Sequence, residues 1–117
     1  MKTCYYAHSV ALYGTPQESR DIEMLQKMFF VLNPSEAIHQ EAYKTRGGMQ
    51  YFKEIVQKCD LLAFRAHVDG KIGAGVATEI EWALAADLPV IELPTMMFAR
   101  FLSIDSTKQY LKEIGQR

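Results

Sequence analysis

The run Leu61-Leu62-Ala63-Phe64 restricts this chain more tightly than any other four residues in it. It is apolar throughout, with no polar residue at alternate positions, so an extended segment here must be covered on both faces. Strands of that kind sit at the centre of parallel sheets, and parallel neighbours need long crossover connections that are usually helical. The preceding segment supplies one. From Met49 to Lys58 the apolar residues Phe52, Ile55 and Val56, with Cys59 just beyond, recur at i, i+3, i+4 and i+7, the period of an amphipathic helix.

The same alternation extends in both directions. Met1 to Ala7 predicts a first strand, followed by a loop from His8 to Gly14. Thr15-Pro16-Gln17-Glu18 then reads as a helix start, with Thr15 as cap, Pro16 at the first helical position and Glu18 closing a capping box. The helix runs to about Phe30 on a stripe of Ile22, Leu25, Met28 and Phe29, expected to be core. Val31 and Leu32 form a short second strand stopped by Asn33-Pro34, because the residue before proline is driven to extended geometry. A short helix is expected from Ser35 to Tyr43, with a break at Arg46-Gly47-Gly48. After the central strand, a loop from Ala66 to Gly75 opens another helix, and Pro89 to Leu93 is a further strand closed by Pro94. Phe98 to Leu102, within an ambiguous segment from Thr95 to Ser103, suits a short edge strand, and Ser106 to Ile114 a last helix ending at Gly115. Strands alternating with helices imply right-handed crossovers and an α/β architecture. The expectation is a Rossmann-like or flavodoxin-like doubly wound sheet of four to five mainly parallel strands with helices on both faces.

Composition bounds the class. A chain of 117 residues that is 49% apolar suits one domain over residues 1–117, and no repeat divides it. Thirteen basic residues against fourteen acidic ones give a net charge of −1, which offers no footprint for a nucleic acid polymer or an anionic membrane. Cys4 and Cys59 lie in apolar surroundings without a Cys-x-x-Cys spacing, as buried thiols of a reducing compartment do. No stretch approaches the roughly 18 apolar residues of a membrane-spanning helix, so the expected setting is the cytoplasm.

In doubly wound sheets, ligands bind beyond the carboxyl ends of the strands, where strand order reverses. That rim collects His8 and Ser9 after strand one, Asn33 after strand two and the loop after the central strand. Within that loop, Gly73 and Gly75 would let backbone amides approach an anion at a helix N-terminus. The loop lacks the third glycine of a dinucleotide fingerprint and the Gly-Lys-[Ser/Thr] of a triphosphate loop, and a plain turn explains its glycines equally well. Glu79, expected in the first turn of the helix, falls beside the stripe of Val76, Ile80, Ala83 and Leu84, whereas Glu81 points elsewhere. A first-turn acid can simply stabilise the helix dipole by a few tenths of a kcal/mol. Asp69 is either a turn-former before Gly70 or a second carboxylate that handles a proton. Tyr5 and Tyr6 must point to opposite faces of strand one. The three histidines have no ligand-like spacing, so no metal site is expected.

Three segments carry a family resemblance. Tyr5-Tyr6-Ala7-His8-Ser9, Cys59-Asp60-Leu61-Leu62, and Gly75-Val-Ala-Thr-Glu79-Ile-Glu-Trp-Ala83 followed by Pro89-Val-Ile resemble the nucleoside 2-deoxyribosyltransferase superfamily, including its small nucleotide N-glycosidase branches. The resemblance implies that Glu79 is a nucleophile attacking C1′ of a (deoxy)ribosyl group, that Tyr5 positions it, and that Asp69 assists the departing base. It also implies that Ser9 and its loop contact sugar or 5′-phosphate, that no cofactor is needed, and that the chain forms a homo-oligomer, a dimer or higher. His8 and Glu81 stand where the family commonly has glycine, and the interval from Asp69 to Glu79 is longer than the family's. The function so implied is cleavage or transfer at the N-glycosidic bond of a small-molecule nucleoside or nucleoside 5′-monophosphate. The alternative is a non-catalytic nucleotide-binding or signal-sensing module on the same rim.

Overall fold

The computed structural model describes residues 1–94 and Lys112. Apart from the helical Lys112, the edge strand and last helix expected after Pro94 lie outside the described residues. The described elements are β1 (Thr3–Ala7), α1 (Pro16–Gln26), β2 (Phe30–Leu32), α2 (Ala37–Thr45), α3 (Met49–Lys58), β3 (Leu61–Phe64), α4 (Ala74–Ala85) and β4 (Val90–Glu92), with a 3-10 turn at Val10–Leu12 between β1 and α1. The strands form one parallel sheet in the order β2-β1-β3-β4. The fold is therefore α/β and doubly wound, in the flavodoxin-like order.

β1 and β3 are the inner strands. Their register pairs Tyr5 with Leu62 and Ala7 with Phe64. Asp60 sets this register at its first step: its carboxylate accepts the Thr3 amide at 2.7 Å, and its own amide donates to the Thr3 carbonyl at 2.9 Å. The acid before the apolar run is thus a structural clasp at the edge away from the rim.

Side-chain alternation divides the core into two layers. Tyr5, Ala7 and Leu62 face α3 and α4, where they pack with Phe52, Val56, Cys59, Val76 and Ala83. Cys4, Tyr6, Leu61 and Ala63 face α1 and pack with Leu25 and Leu93. Both thiols are free and buried, and burial pushes Cys4 up to about 11 and Cys59 up to about 12. Neither is a thiolate near neutral pH.

Several local expectations shift. α1 stops at Gln26 rather than near Phe30, because the Phe30 amide must turn to reach the Lys2 carbonyl, at 2.9 Å, and start β2. That turn breaks the helical spacing after Leu25, so Met28, expected in the core, is 59% exposed, while Leu25 is buried and Phe29 only partly so. Thr15 caps α1 by accepting the Glu18 amide at 3.3 Å, but Glu18 accepts the amide of Gly14, at 3.1 Å, rather than that of Thr15. Between α2 and α3, Gly47 and Gly48 take φ of 105° and 61°, a pair of left-handed steps that side-chain-bearing residues resist. The largest correction concerns α4. It begins at Ala74, so Glu79 is in its second turn, and its first turn holds no acid. Helix-dipole stabilisation, which fades beyond the first turn, does not account for Glu79.

Candidate active site

β2 lies on one side of β1 and β3 on the other, so the loops leaving β1 and β3 diverge. The gap opens on a cavity of about 480 Å³. One wall is the segment after β1, with His8, Ser9, Val10 and Tyr13; another is the start of α4, with Gly73 to Val76 and Glu79. Pro34, Gln40 and Tyr43 beyond β2, with Met49 and Phe52 of α3, close the remaining side, and Tyr5 contributes from β1. Among the described residues, Glu79 is the only carboxylate lining this space.

The β1 alternation that turns Tyr5 toward α4 brings its hydroxyl onto Glu79, to whose Oε2 it donates a hydrogen bond across 74 residues of chain. On α4, Val76 and Ala83 lie three residues before and four after Glu79, and both are buried against the sheet. Glu79 therefore enters the cavity along the covered side of the helix. Burial pushes its carboxyl up to about 7, against a smaller downward pull from the Tyr5 hydrogen bond. Burial, then the charge and the hydrogen bond of Glu79, hold Tyr5 far above the usual phenol range, so it stays protonated as a donor. Tyr13 is pushed up to about 12 by burial and by the Glu79 and Glu18 charges.

The other residues expected at the site divide. Ser9 lines the cavity, and its Oγ accepts the Ala11 amide at 3.2 Å, capping the 3-10 turn. Gly73 and Gly75 also line it, and a Cβ added at either would meet no heavy atom within 4 Å, so the surface there is open. The first amide of α4 to bond back along the chain is that of Ala77, to the Gly73 carbonyl at 3.0 Å; helix geometry leaves those of residues 74–76 without a helical partner. His8 lines the cavity with both ring nitrogens engaged elsewhere, as detailed below. Asn33 is buried next to the lining Pro34, with its Oδ1 accepting the Ser35 amide at 3.0 Å, and is not itself part of the wall. Asp69 is exposed, accepts the Lys71 amide at 3.0 Å in a turn completed by Gly70 at φ 84°, and does not line the cavity.

Sequence reasoning missed the far wall. Tyr43 and Phe52, with ring centroids 5.6 Å apart, come from α2 and α3, elements read only as packing, and no local motif marks them. It also missed a polar cluster beneath the α1 face. Arg65 Nη2 donates to Asp21 Oδ1 at 2.6 Å and its Nε to Oδ2 at 2.9 Å, while the Tyr6 hydroxyl donates to the same Oδ2 at 2.6 Å. Burial would raise the Asp21 carboxyl, but these donors outweigh it and hold it below the usual range.

The fold is α/β, with a cavity at its strand-order switch point. No family model matches the chain, and no curated protein matches it. Among solved structures it is similar to the CMP N-glycosidase BcmB of Clostridium botulinum, at 20% identity and a TM-score of 0.49, over 99% of this chain and 100% of that one. Similar folds host unrelated chemistries, so function has to be argued from the site.

Proposed function

We propose that this chain cleaves or transfers at the N-glycosidic bond of a (deoxy)nucleoside or nucleoside 5′-monophosphate through a glycosyl-enzyme on Glu79. The observation that carries this reading is the Tyr5–Glu79 pair on the wall of a cavity of about 480 Å³, a volume within the range of small-molecule sites. An ionised Glu79 attacks C1′ through an oxocarbenium-like state as the C–N bond breaks, and the bond's electron pair leaves with the base, which takes up a proton. Water, or a second base, then attacks C1′, the ester to Glu79 breaks, and the carboxylate is regenerated with release of a proton.

Tyr5 holds the carboxylate in one orientation and pulls its pKa down against burial, which favours the ionised, attacking form. Tyr13, Tyr43 and Phe52 offer aromatic faces for a base. The N-terminal amides of α4 are donors suited to sugar oxygens or a phosphate. The resemblance around Glu79 supports the same assignment.

The test is incubation with a panel of nucleosides and 5′-monophosphates, following free base by chromatography for wild type, Glu79→Gln and Tyr5→Phe. Base release or exchange that disappears in Glu79→Gln supports the proposal. A nucleotide that raises the melting temperature without any base release would replace it with the non-catalytic binding module.

A further inference from the structure

His8 and Glu18 form a buried pair that the glycosyl chemistry does not use. Nε2 of His8 lies 2.6 Å from Glu18 Oε2, and Nδ1 lies 3.0 Å from the Tyr6 carbonyl oxygen. Both ring nitrogens are thereby engaged inside the protein and the His8 side chain is fully buried, so it offers the cavity no free nitrogen. The ring is gripped on its faces as well: Tyr6 stacks on it with centroids 3.9 Å apart and planes 8° from parallel, and Tyr13 lies against it at 5.0 Å. Tyr6 is itself anchored through its hydroxyl to Asp21.

Glu18 has a second hold. Its Oε1 accepts the Gly14 amide at 3.1 Å. One carboxylate on α1 therefore holds both ends of the segment from His8 to Gly14, which carries Ser9, Val10 and Tyr13 into the cavity wall. A loop held at one end is free to splay at the other; this one is restrained at both. Burial would raise the Glu18 carboxyl, but the hydrogen bonds of His8 and Gly14 outweigh it and hold it below the usual range.

We infer that Glu18 and His8 are positioning residues, a two-ended latch that sets the cavity wall formed by residues 8–14 opposite Glu79. The inference rests on the proposed function only for its kinetic readout. The test compares Glu18→Ala with Glu18→Gln in the full chain, by hydrogen exchange of backbone amides and by base-release kinetics. Glutamine can still accept the Gly14 amide on Oε1 and can donate its own N–H to Nε2 of a His8 whose proton sits on Nδ1, so it keeps both holds.

The expected result is that Glu18→Ala speeds exchange of the amides of residues 9–14 about 10-fold or more while β1 and β3 stay protected, and that Glu18→Gln recovers most of the protection. In turnover, Glu18→Ala is expected to raise KM about 10-fold with kcat changed by no more than about threefold, since a loosened wall weakens binding before it alters the nucleophile. Unchanged exchange in residues 9–14, exchange raised equally across β1 and β3, no recovery in Glu18→Gln, or a loss of kcat at constant KM would each overturn the latch. A wild-type chain that releases no base from any substrate would sink the proposed function, and the exchange comparison would still decide the latch.

Discussion

Replacing Glu79 by glutamine separates the energetics of this carboxyl from everything else in the protein. Its pKa is raised from the ordinary 4.5 to about 7, chiefly by burial. A group raised in this way contributes stability that is fully present below the unfolded value and is lost as pH rises through the folded value, because above about 7 a charge must be kept where water is scarce. The interval between the two values, at about 1.4 kcal/mol per pKa unit, corresponds to about 3 kcal/mol. The side chain is only part-buried and water still screens it, so about 2 kcal/mol is the realistic size. Glutamine cannot ionise and does not suffer this loss. The melting temperature of Glu79→Gln minus that of wild type should therefore widen by about 8 °C between pH 5 and pH 8, at about 4 °C per kcal/mol for a domain of this size. Glu18 and Asp21 act with the opposite sign: both are held low, so their contribution is present above the ordinary carboxyl values and lost as pH falls through the lowered ones. They are common to both proteins and cancel in the difference. Scanning calorimetry at four or five pH values suffices. A constant offset between the two melting curves, or a wild type that gains on the variant with rising pH, would refute burial of Glu79 as the source of its raised pKa.

Other outcomes follow from the same geometry. If the carboxylate is the attacking form, base release should rise with pH through a limb near 7 and level off above it, and Tyr5→Phe, which removes the hydrogen bond that pulls Glu79 down, should move that limb to higher pH while lowering the maximum rate. Asp21→Ala leaves the buried Arg65 guanidinium without its carboxylate and should lower stability by about 3 to 5 kcal/mol, measured by urea unfolding at pH 7. Tyr43→Ala removes a part-exposed aromatic face from the cavity together with its contact to Phe52, so it should raise KM about fivefold, the equivalent of about 1 kcal/mol of stacking, and lower the melting temperature modestly.

What could be read in advance depended on the range of the interaction. The period-3.6 stripe of Phe52, Ile55 and Val56 marked α3 with its ends in place, and the unbroken apolar run marked β3 as an inner strand, because burial on two faces leaves no room for a polar alternate. Thr15 and Pro16 marked the start of α1, since capping is settled within a few residues. The end of α1 is not legible locally, because it is set by where β2 must pair, and Met28 lies outside the core that its helical spacing predicts. Glu79 stood out through its flank position and the motif around it, though it was expected one helical turn too early. Asp69 has the local chemistry of a turn, and that is where its carboxylate is used. Nothing near Glu18 in the sequence suggested that an apparent capping-box acid would reach one residue further and hold His8 as well.

The sequence by itself determined the alternation of strands and helices, the inner place of the Leu61 run and the single acid beside the stripe of α4. All three follow from side-chain periodicity and from residues a few positions apart. The tertiary structure alone decided which groups meet. Tyr5 finds Glu79 at a separation of 74 residues, and Arg65 finds Asp21 at 44, because strand order brings β1 and β3 side by side and opens a gap beyond their ends. Proximity between distant segments is a property of sheet register and helix packing, and the environment it creates, here the scarcity of water around one carboxyl, is what lifts Glu79 toward neutral pH.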